Sequence, residues 1–187
     1  MKIAVFCASS NGNDEKYINE IKSLGEFFAK NNIELVYGGG KVGLMGAIAD
    51  SVMENGGKVY GVIPEKLQEK ELAHTGITKL KVVKNMHERK ADMAQNADAF
   101  VAFAGGAGTL EEIFEVWTWA QLGFHSKPCV FYNTNGYYDS IFDMMKNMVK
   151  EGFLKQEYFD MLIKTDDKDE LLKAIKEYKA PTQKWTK

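Results

Sequence analysis

The chain has 187 residues, a formal net charge of −2 and a pI near 6.0, with 45% apolar and 27% charged residues. This length fits one domain with its own core, and the charge excludes the basic surface typical of a nucleic-acid-binding protein or a membrane-surface helix. No apolar run approaches the ~18 residues that a membrane-spanning helix needs. We therefore expect neither nucleic acid nor a membrane as partner.

Short apolar, β-rich runs alternate with amphipathic stretches from one end of the chain to the other. Strands are predicted at residues 3–8, 33–37, 58–63, 77–83, 98–103, 128–132 and 162–164. Helices are predicted at residues 14–31, 44–54, 86–96, 109–122, 138–151 and 168–178. Because the strands are apolar nearly throughout, the alternation predicts a doubly wound, Rossmann-like α/β fold, with a mostly parallel sheet and helices on both faces.

The predicted single domain spans residues 1–179, and residues 180–187 form a C-terminal tail with little to bury. The apolar stretch in residues 1–7 is too short for a signal peptide and is typical of a buried first strand. Cys7 and Cys129 both fall in predicted strands, which indicates buried free thiols of a reducing compartment. We therefore expect a cytoplasmic location.

Three predicted strands end in turns of small residues. The turns are Ala8-Ser9-Ser10-Asn11-Gly12, Gly38-Gly39-Gly40 with the following Gly43 to Gly46, and Gly105-Gly106-Ala107-Gly108-Thr109. At the carboxyl edge of a parallel sheet, glycines let the backbone approach an anion, and the next helix directs free N–H groups at it. The turns predict a phosphate or ribose site, although tight helix packing would also favour glycine. The chain has neither the G-x-x-x-x-G-K-[ST] motif of P-loop NTPases nor, after its first strand, the G-x-G-x-x-G motif of dinucleotide-binding folds. A mononucleotide or sugar phosphate is therefore a better candidate ligand than a dinucleotide.

Arg89 is the only arginine among 24 basic residues. Its planar guanidinium can bind a carboxylate or phosphate through two parallel hydrogen bonds, which lysine cannot do. Arg89 and Lys90 lie in the first turn of a predicted helix, where cations oppose the helix dipole. Their position indicates an anionic partner.

The run Thr109 to Glu112 matches S/T-x-x-E and permits two interpretations. In a capping box, Glu112 would bind back to the amide of Thr109 at the helix N-cap. In a catalytic site, the same carboxylate would stabilise an oxocarbenium-like transition state or direct a water, as in glycoside hydrolysis. The helix itself is apolar around much of its circumference, which predicts burial in part by a second subunit of a homodimer.

Taken together, several of these segments resemble the LOG ("Lonely Guy") family of cytokinin riboside 5′-monophosphate phosphoribohydrolases, many of whose relatives were once labelled lysine decarboxylases. The similar segments are Val36 to Gly40, Gly43 to Gly46, Met86-His87-Glu88-Arg89-Lys90, Gly105 to Glu112 and Trp119 to Gly123. The resemblance runs from about residue 1 to 155. It implies a Rossmann-like homodimer that hydrolyses the N-glycosidic bond of an adenosine 5′-monophosphate, N6-substituted or not, to free base and ribose 5-phosphate.

The resemblance places the catalytic pair on Arg89 and Glu112. Together with the glycine turns, it gives as expected substrate contacts Ser9, Gly39, Glu71, Met86, Lys90, Gly105, Gly106, Ala107, Gly108, Thr109, Leu110, Glu111 and Thr118. The substrate phosphate is expected on the amides of the Gly105–Thr109 loop, and neither a metal nor a cofactor is expected. Ala104 stands where the family motif has proline, which loosens φ at the loop entrance.

Two other functions remain open from the sequence. The first is a non-catalytic nucleotide-binding module that uses the same loops, although phosphate binding alone does not require Glu112 beside Arg89. The second is a decarboxylase, which would need a lysine that binds pyridoxal phosphate, and the sequence supplies no convincing context for one.

Overall fold

The computed structural model describes residues 1–68 and 72–181. Within them, the strands are β1 (Lys2–Phe6), β2 (Glu34–Tyr37), β3 (Val59–Pro64), β4 (Lys79–Val83), β5 (Ala99–Ala102), β6 (Cys129–Tyr132) and β7 (Leu162–Thr165). The α-helices are α1 (Glu15–Lys30), α2 (Gly43–Glu54), α3 (Met86–Asn96), α4 (Ala107–Gln121), α5 (Asp139–Lys150), α6 (Gln156–Phe159) and α7 (Lys168–Glu177).

These strands form one sheet in the order β4-β3-β2-β1-β5-β6-β7, and every described pair is parallel. The chain builds outward from β1 to β4 and then crosses to the other side of β1 to start again with β5. Phe6 of β1 is level with Ala102 of β5, so the two strands end side by side. This reversal of strand order is where doubly wound folds bind ligands.

Helices cover both faces of the sheet, as the sequence predicts. Along β1, Ile3 and Val5 face one core with α1, α2 and α7, whereas Ala4 and Phe6 face a second core with α3, α4 and α5. Successive strand residues point to opposite faces, and the apolar side chains on both faces of β1 are buried. Among the described residues, no helix combines the length and apolar character needed to cross a membrane.

The predicted elements differ from the observed ones mainly at their ends. The largest functional difference is at α4, which begins at Ala107 and has Gly106 as its N-cap, two residues before the predicted start. The capping-box interpretation, in which Thr109 is the N-cap, is therefore wrong, because alanine and glycine enter the first turn without needing a side-chain cap. The sequence pattern also missed the single-turn helix α6. The tail prediction falls largely on residues 182–187, which lie outside the described residues.

Candidate active site

A cavity of about 370 Å³ opens at the carboxyl ends of β1 and β5, at the reversal of strand order. Its lining comes from the loop after β1, from the first turns of α2 and α3 and from the first two turns of α4, together with one residue of the segment after β3. The lining residues are Cys7, Ala8, Ser9, Ser10, Met45, Leu67, Met86, Arg89, Gly106, Gly108, Thr109, Glu111 and Glu112. Both members of the predicted catalytic pair therefore line one cavity.

Arg89 is buried, with 5% of its surface exposed. It lies in the first turn of α3, which Asn85 caps by accepting a 2.9 Å hydrogen bond from the Glu88 N–H. The guanidinium donates a 2.9 Å hydrogen bond from Nη2 to the carbonyl of Gly38, and Nη1 lies 3.7 Å from the sulfur of Met86. The capped start of α3 thus fixes the backbone of Arg89, and the Gly38 carbonyl, just after β2, fixes its guanidinium.

Gly38 belongs to one of the predicted glycine turns, but its role beside Arg89 was not predicted from the sequence. A Cβ atom at this residue would lie 1.8 Å from Nη2 of Arg89, far inside van der Waals contact. The absence of a side chain at residue 38 is therefore what creates the space for the guanidinium. The available signal was its place as the first glycine after β2, but the arginine that uses the space lies 51 residues further along the chain.

Glu112 lies in the second turn of α4 and is half-buried in the cavity wall. The third residue of this helix is Thr109, so Glu112 does not occupy the position that closes a capping box. Burial raises the pKa of the Cys7 thiol well above its usual range, and the negative charge of Glu112 raises it further. The Glu112 carboxylate is thus close enough to the end of β1 to act on Cys7, whose neutral thiol is a poor nucleophile.

The first turn of α4 presents open backbone to the cavity. Apart from chain neighbours and the backbone of the helix itself, no heavy atom of the described residues lies within 4 Å of the place where a Cβ of Gly106 or Gly108 would stand. The first amides of a helix have no partners within the helix and carry its positive dipole end. Gly105 is buried instead, because a Cβ there would lie 2.1 Å from Oγ1 of Thr109. This turn is suited to an anion such as a phosphate.

The loop after β1 forms the opposite side of the cavity, and α2 holds it in place. The N–H groups of Leu44 and Met45 donate to the carbonyls of Ser10 and Ala8 at 3.3 Å each. Gly43 has a φ of +57°, and a Cβ there would lie 2.3 Å from the Ser10 nitrogen. Close approach of α2 to this loop therefore requires glycine, and it fixes Ser9 at the cavity wall.

Several predicted contacts lie outside this cavity. Gly39 has a φ of +80° and packs against Ile63 and Leu80, while its carbonyl accepts a 2.9 Å hydrogen bond from the His74 N–H. Gly105 and Ala107 flank the lining residues of the α4 turn, and Leu110 packs against the core on the other face of the helix. Glu71 lies outside the described residues.

Lys90 points to two carboxylates of α4 instead of lining the cavity. Its Nζ contacts Glu111 and lies 3.4 Å from Glu115. Burial lowers the pKa of Lys90, but the two carboxylates outweigh this effect and leave the pKa raised. Thr118 is exposed on α4, and it lies six residues beyond Glu112, the last residue of this helix in the cavity lining, or about 9 Å of helix rise. Lys90 therefore ties α3 to α4, and Thr118 is not among the residues that line the cavity of its own chain.

Comparisons with known proteins show the family and the fold of this chain. The family model described as possible lysine decarboxylase matches residues 45–175. The Arabidopsis thaliana cytokinin riboside 5′-monophosphate phosphoribohydrolases LOG3 and LOG4 are 42% and 44% identical to this chain over 177 residues, which are 95% of the chain and 82% of each relative. The molybdenum cofactor carrier protein of Chlamydomonas reinhardtii has a similar fold, with a TM-score of 0.71 at 19% identity over 94% of this chain and 96% of its own.

Proposed function

Because this chain belongs to the LOG family of cytokinin riboside 5′-monophosphate phosphoribohydrolases, we propose that it hydrolyses the N-glycosidic bond of adenosine 5′-monophosphates, including N6-substituted ones. The observation that carries this proposal is one cavity lined by the Arg89 side chain, the Glu112 carboxylate and the open first turn of α4. The products are the free base and ribose 5-phosphate.

In this reaction the bond between C1′ and the base nitrogen breaks, and its electron pair leaves with the base. Positive charge develops on C1′ and the ring oxygen, as in other glycoside hydrolyses. The Glu112 carboxylate stabilises this charge or removes a proton from the attacking water, whose oxygen becomes the hydroxyl on C1′. The departing base nitrogen gains a proton, so the reaction consumes one water and needs no other reactant.

The phosphate anchors the substrate at the start of α4. The free amides of residues 106–109 bind the phosphate oxygens, and binding energy from this remote group is used at the reacting bond. Arg89 orients the nucleotide through its two-pronged guanidinium, which its bond to Gly38 holds in place. The apolar wall of Met45, Leu67 and Met86 faces the base.

A cytoplasmic homodimer completes the proposal. Phe114 and Trp119 on α4 and Leu122 at its C-cap are only half-buried, and Phe124 just beyond them is 75% exposed. A second copy packed on this face would remove apolar surface from water, and twofold dimers are the commonest closed assembly. Such packing would also bring Thr118 next to another chain, which would account for its place outside the cavity lining of its own chain. Light scattering should give twice the 21.0 kDa mass of one chain.

The test of the reaction compares nucleotides with nucleosides. The purified protein is incubated with AMP, with isopentenyladenosine 5′-monophosphate and with the two matching nucleosides, and the products are separated by chromatography. Free base and ribose 5-phosphate should form from the nucleotides and hardly at all from the nucleosides. Equal turnover of both classes would remove the phosphate from the mechanism, and binding of AMP without turnover would make the protein a nucleotide-binding module.

A further inference from the structure

The three carbonyls that follow β5 are all hydrogen-bonded. The hydroxyl of Tyr138 donates to the Phe103 carbonyl at 2.5 Å, the Ala8 N–H donates to the Ala104 carbonyl at 3.1 Å, and the hydroxyl of Tyr137 donates to the Gly105 carbonyl at 2.7 Å. The last of these bonds holds the peptide that leads directly into the N-cap of α4. It comes from a residue that does not line the cavity.

This hydrogen bond sets the direction of an N–H group as well as that of a carbonyl. In a trans peptide the C=O of one residue and the N–H of the next point in opposite directions, and the described residues contain no cis peptide. The Gly105 carbonyl is turned toward Tyr137, so the Gly106 N–H is turned away from it. Gly106 lines the cavity, and its N–H is one of those available to an anion there.

The peptide between Gly105 and Gly106 is one that needs such a restraint. Glycine has no Cβ to oppose rotation, and the space around Gly106 is open within the described residues. A flipped peptide would direct the negative end of the carbonyl dipole, instead of an N–H, toward a bound phosphate. Holding the carbonyl on the outside of the loop therefore favours anion binding on the inside.

Two neighbouring aromatic rings hold Tyr137, and 43% of its surface remains exposed. Asn135 and Gly136, with φ of +59° and +71°, turn the chain sharply after β6. The Tyr137 ring then packs edge-on against Tyr17, at 5.7 Å between ring centroids, and against Tyr138, at 5.0 Å. Such edge-to-face pairs are favourable arrangements of aromatic rings, so the hydroxyl is held ready to donate to Gly105.

We propose that Tyr137 is a positioning residue for phosphate recognition, which orients the Gly105–Gly106 peptide so that the Gly106 N–H serves the phosphate of the substrate. This inference rests on the proposed function, because it concerns the phosphate of the same nucleotide. Tyr137 acts through the loop backbone and does not touch the substrate.

The test replaces Tyr137 by phenylalanine, which keeps the ring contacts and removes only the hydroxyl. The KM for AMP and the Kd for ribose 5-phosphate should each rise about five- to tenfold, the range expected for one hydrogen bond. The kcat for AMP should fall by no more than the same factor, because part of the phosphate binding energy is used at the reacting bond. The Kd for adenosine should stay within twofold of the wild-type value, because adenosine carries no phosphate. Tyr17→Phe is the matched control, since it removes a hydroxyl from the neighbouring ring and should leave all four values unchanged.

The outcomes separate this inference from the function on which it rests. Wild-type protein that binds neither AMP nor ribose 5-phosphate would overturn both. Wild-type protein that binds and cleaves AMP, with Tyr137→Phe indistinguishable from it, would overturn the positioning role alone. The role would also fail if Tyr137→Phe weakened adenosine and AMP binding equally, or if Tyr17→Phe produced the same loss, since each result would indicate a general structural effect.

Discussion

Replacing Glu112 by glutamine separates catalysis from helix stability at one position. Glutamine keeps the size of the side chain and its capacity for hydrogen bonds, and removes only the negative charge. Because Glu112 lies beyond the third residue of α4, the substitution removes no capping interaction. We expect the free energy of unfolding to change by no more than about 1 kcal/mol, which corresponds to a shift in Tm of about 2–4 °C for a chain of this length.

The effect on turnover should be far larger. A carboxylate that faces developing positive charge in a partly dry cavity is worth about 10²-fold or more in kcat, or about 2.7 kcal/mol. The assay follows ribose 5-phosphate release from AMP, and calorimetry checks that the variant still binds AMP. The loss in kcat would thus exceed any loss that the change in stability could produce.

Glu115→Gln is the matched control for this experiment. Glu115 lies on the same helix, three residues further on, and its carboxylate pairs with Lys90 outside the cavity. The two variants carry the same change of charge on the same element, and only Glu112→Gln should lose turnover. An active Glu112→Gln enzyme, or equal losses in both variants, would refute the catalytic role of the Glu112 charge.

Three further predictions concern Arg89, Gly38 and the two buried thiols. Arg89→Lys keeps the positive charge but loses the planar guanidinium and its hydrogen bond to the Gly38 carbonyl. The kcat/KM for AMP should therefore fall about 30-fold, equivalent to about 2 kcal/mol. Near-wild-type kinetics would show that a point charge suffices. Gly38→Ala places a Cβ 1.8 Å from Nη2 of Arg89 and should displace the guanidinium. Activity should fall at least tenfold, while the protein still unfolds cooperatively. Full activity would mean that the guanidinium can bind elsewhere. Burial raises the pKa of the Cys7 and Cys129 thiols, so the folded state favours their neutral forms. The two thiols therefore stabilise the fold fully below about pH 8.5, the pKa of a thiol in the unfolded chain, and this stabilisation declines as the pH rises above that value. Urea unfolding of the wild type and of Cys129→Ala at pH 7 and pH 10 checks this, because the wild type should lose more stability than the variant.

The sequence predicted the elements whose signals are local. The amphipathic pattern of residues 86–96 gave both ends of α3 correctly, and in the structure Asn85 caps its start. The start of α4 was placed too late, because the S/T-x-x-E match at Thr109 looked like a capping box and the glycines before it looked like a loop. Glycine and alanine are poor guides to a helix start, since they are tolerated both in turns and at the first helical positions.

Contacts between distant parts of the chain were beyond the sequence patterns. The cavity was expected at the glycine turns because the carboxyl ends of parallel strands meet at one edge, and the structure brings the Arg89 and Glu112 side chains together there. The bond from Tyr137 to the Gly105 carbonyl spans 32 residues, and the pairing of Lys90 with Glu111 spans 21. Neither leaves a periodic or spacing signal, because each depends on how α3, α4 and the turn after β6 pack in three dimensions.

The space at residue 38 constrains how this chain can change over evolutionary time. A side chain at residue 38 and the guanidinium of Arg89 cannot occupy the same volume. A lineage in which residue 38 acquires a side chain must therefore first lose the arginine at residue 89. We therefore expect the two positions to change together, although 51 residues separate them. A relative with a larger residue at the position of Gly38 should also lack the arginine, and would have to hold its anionic ligand by a different group.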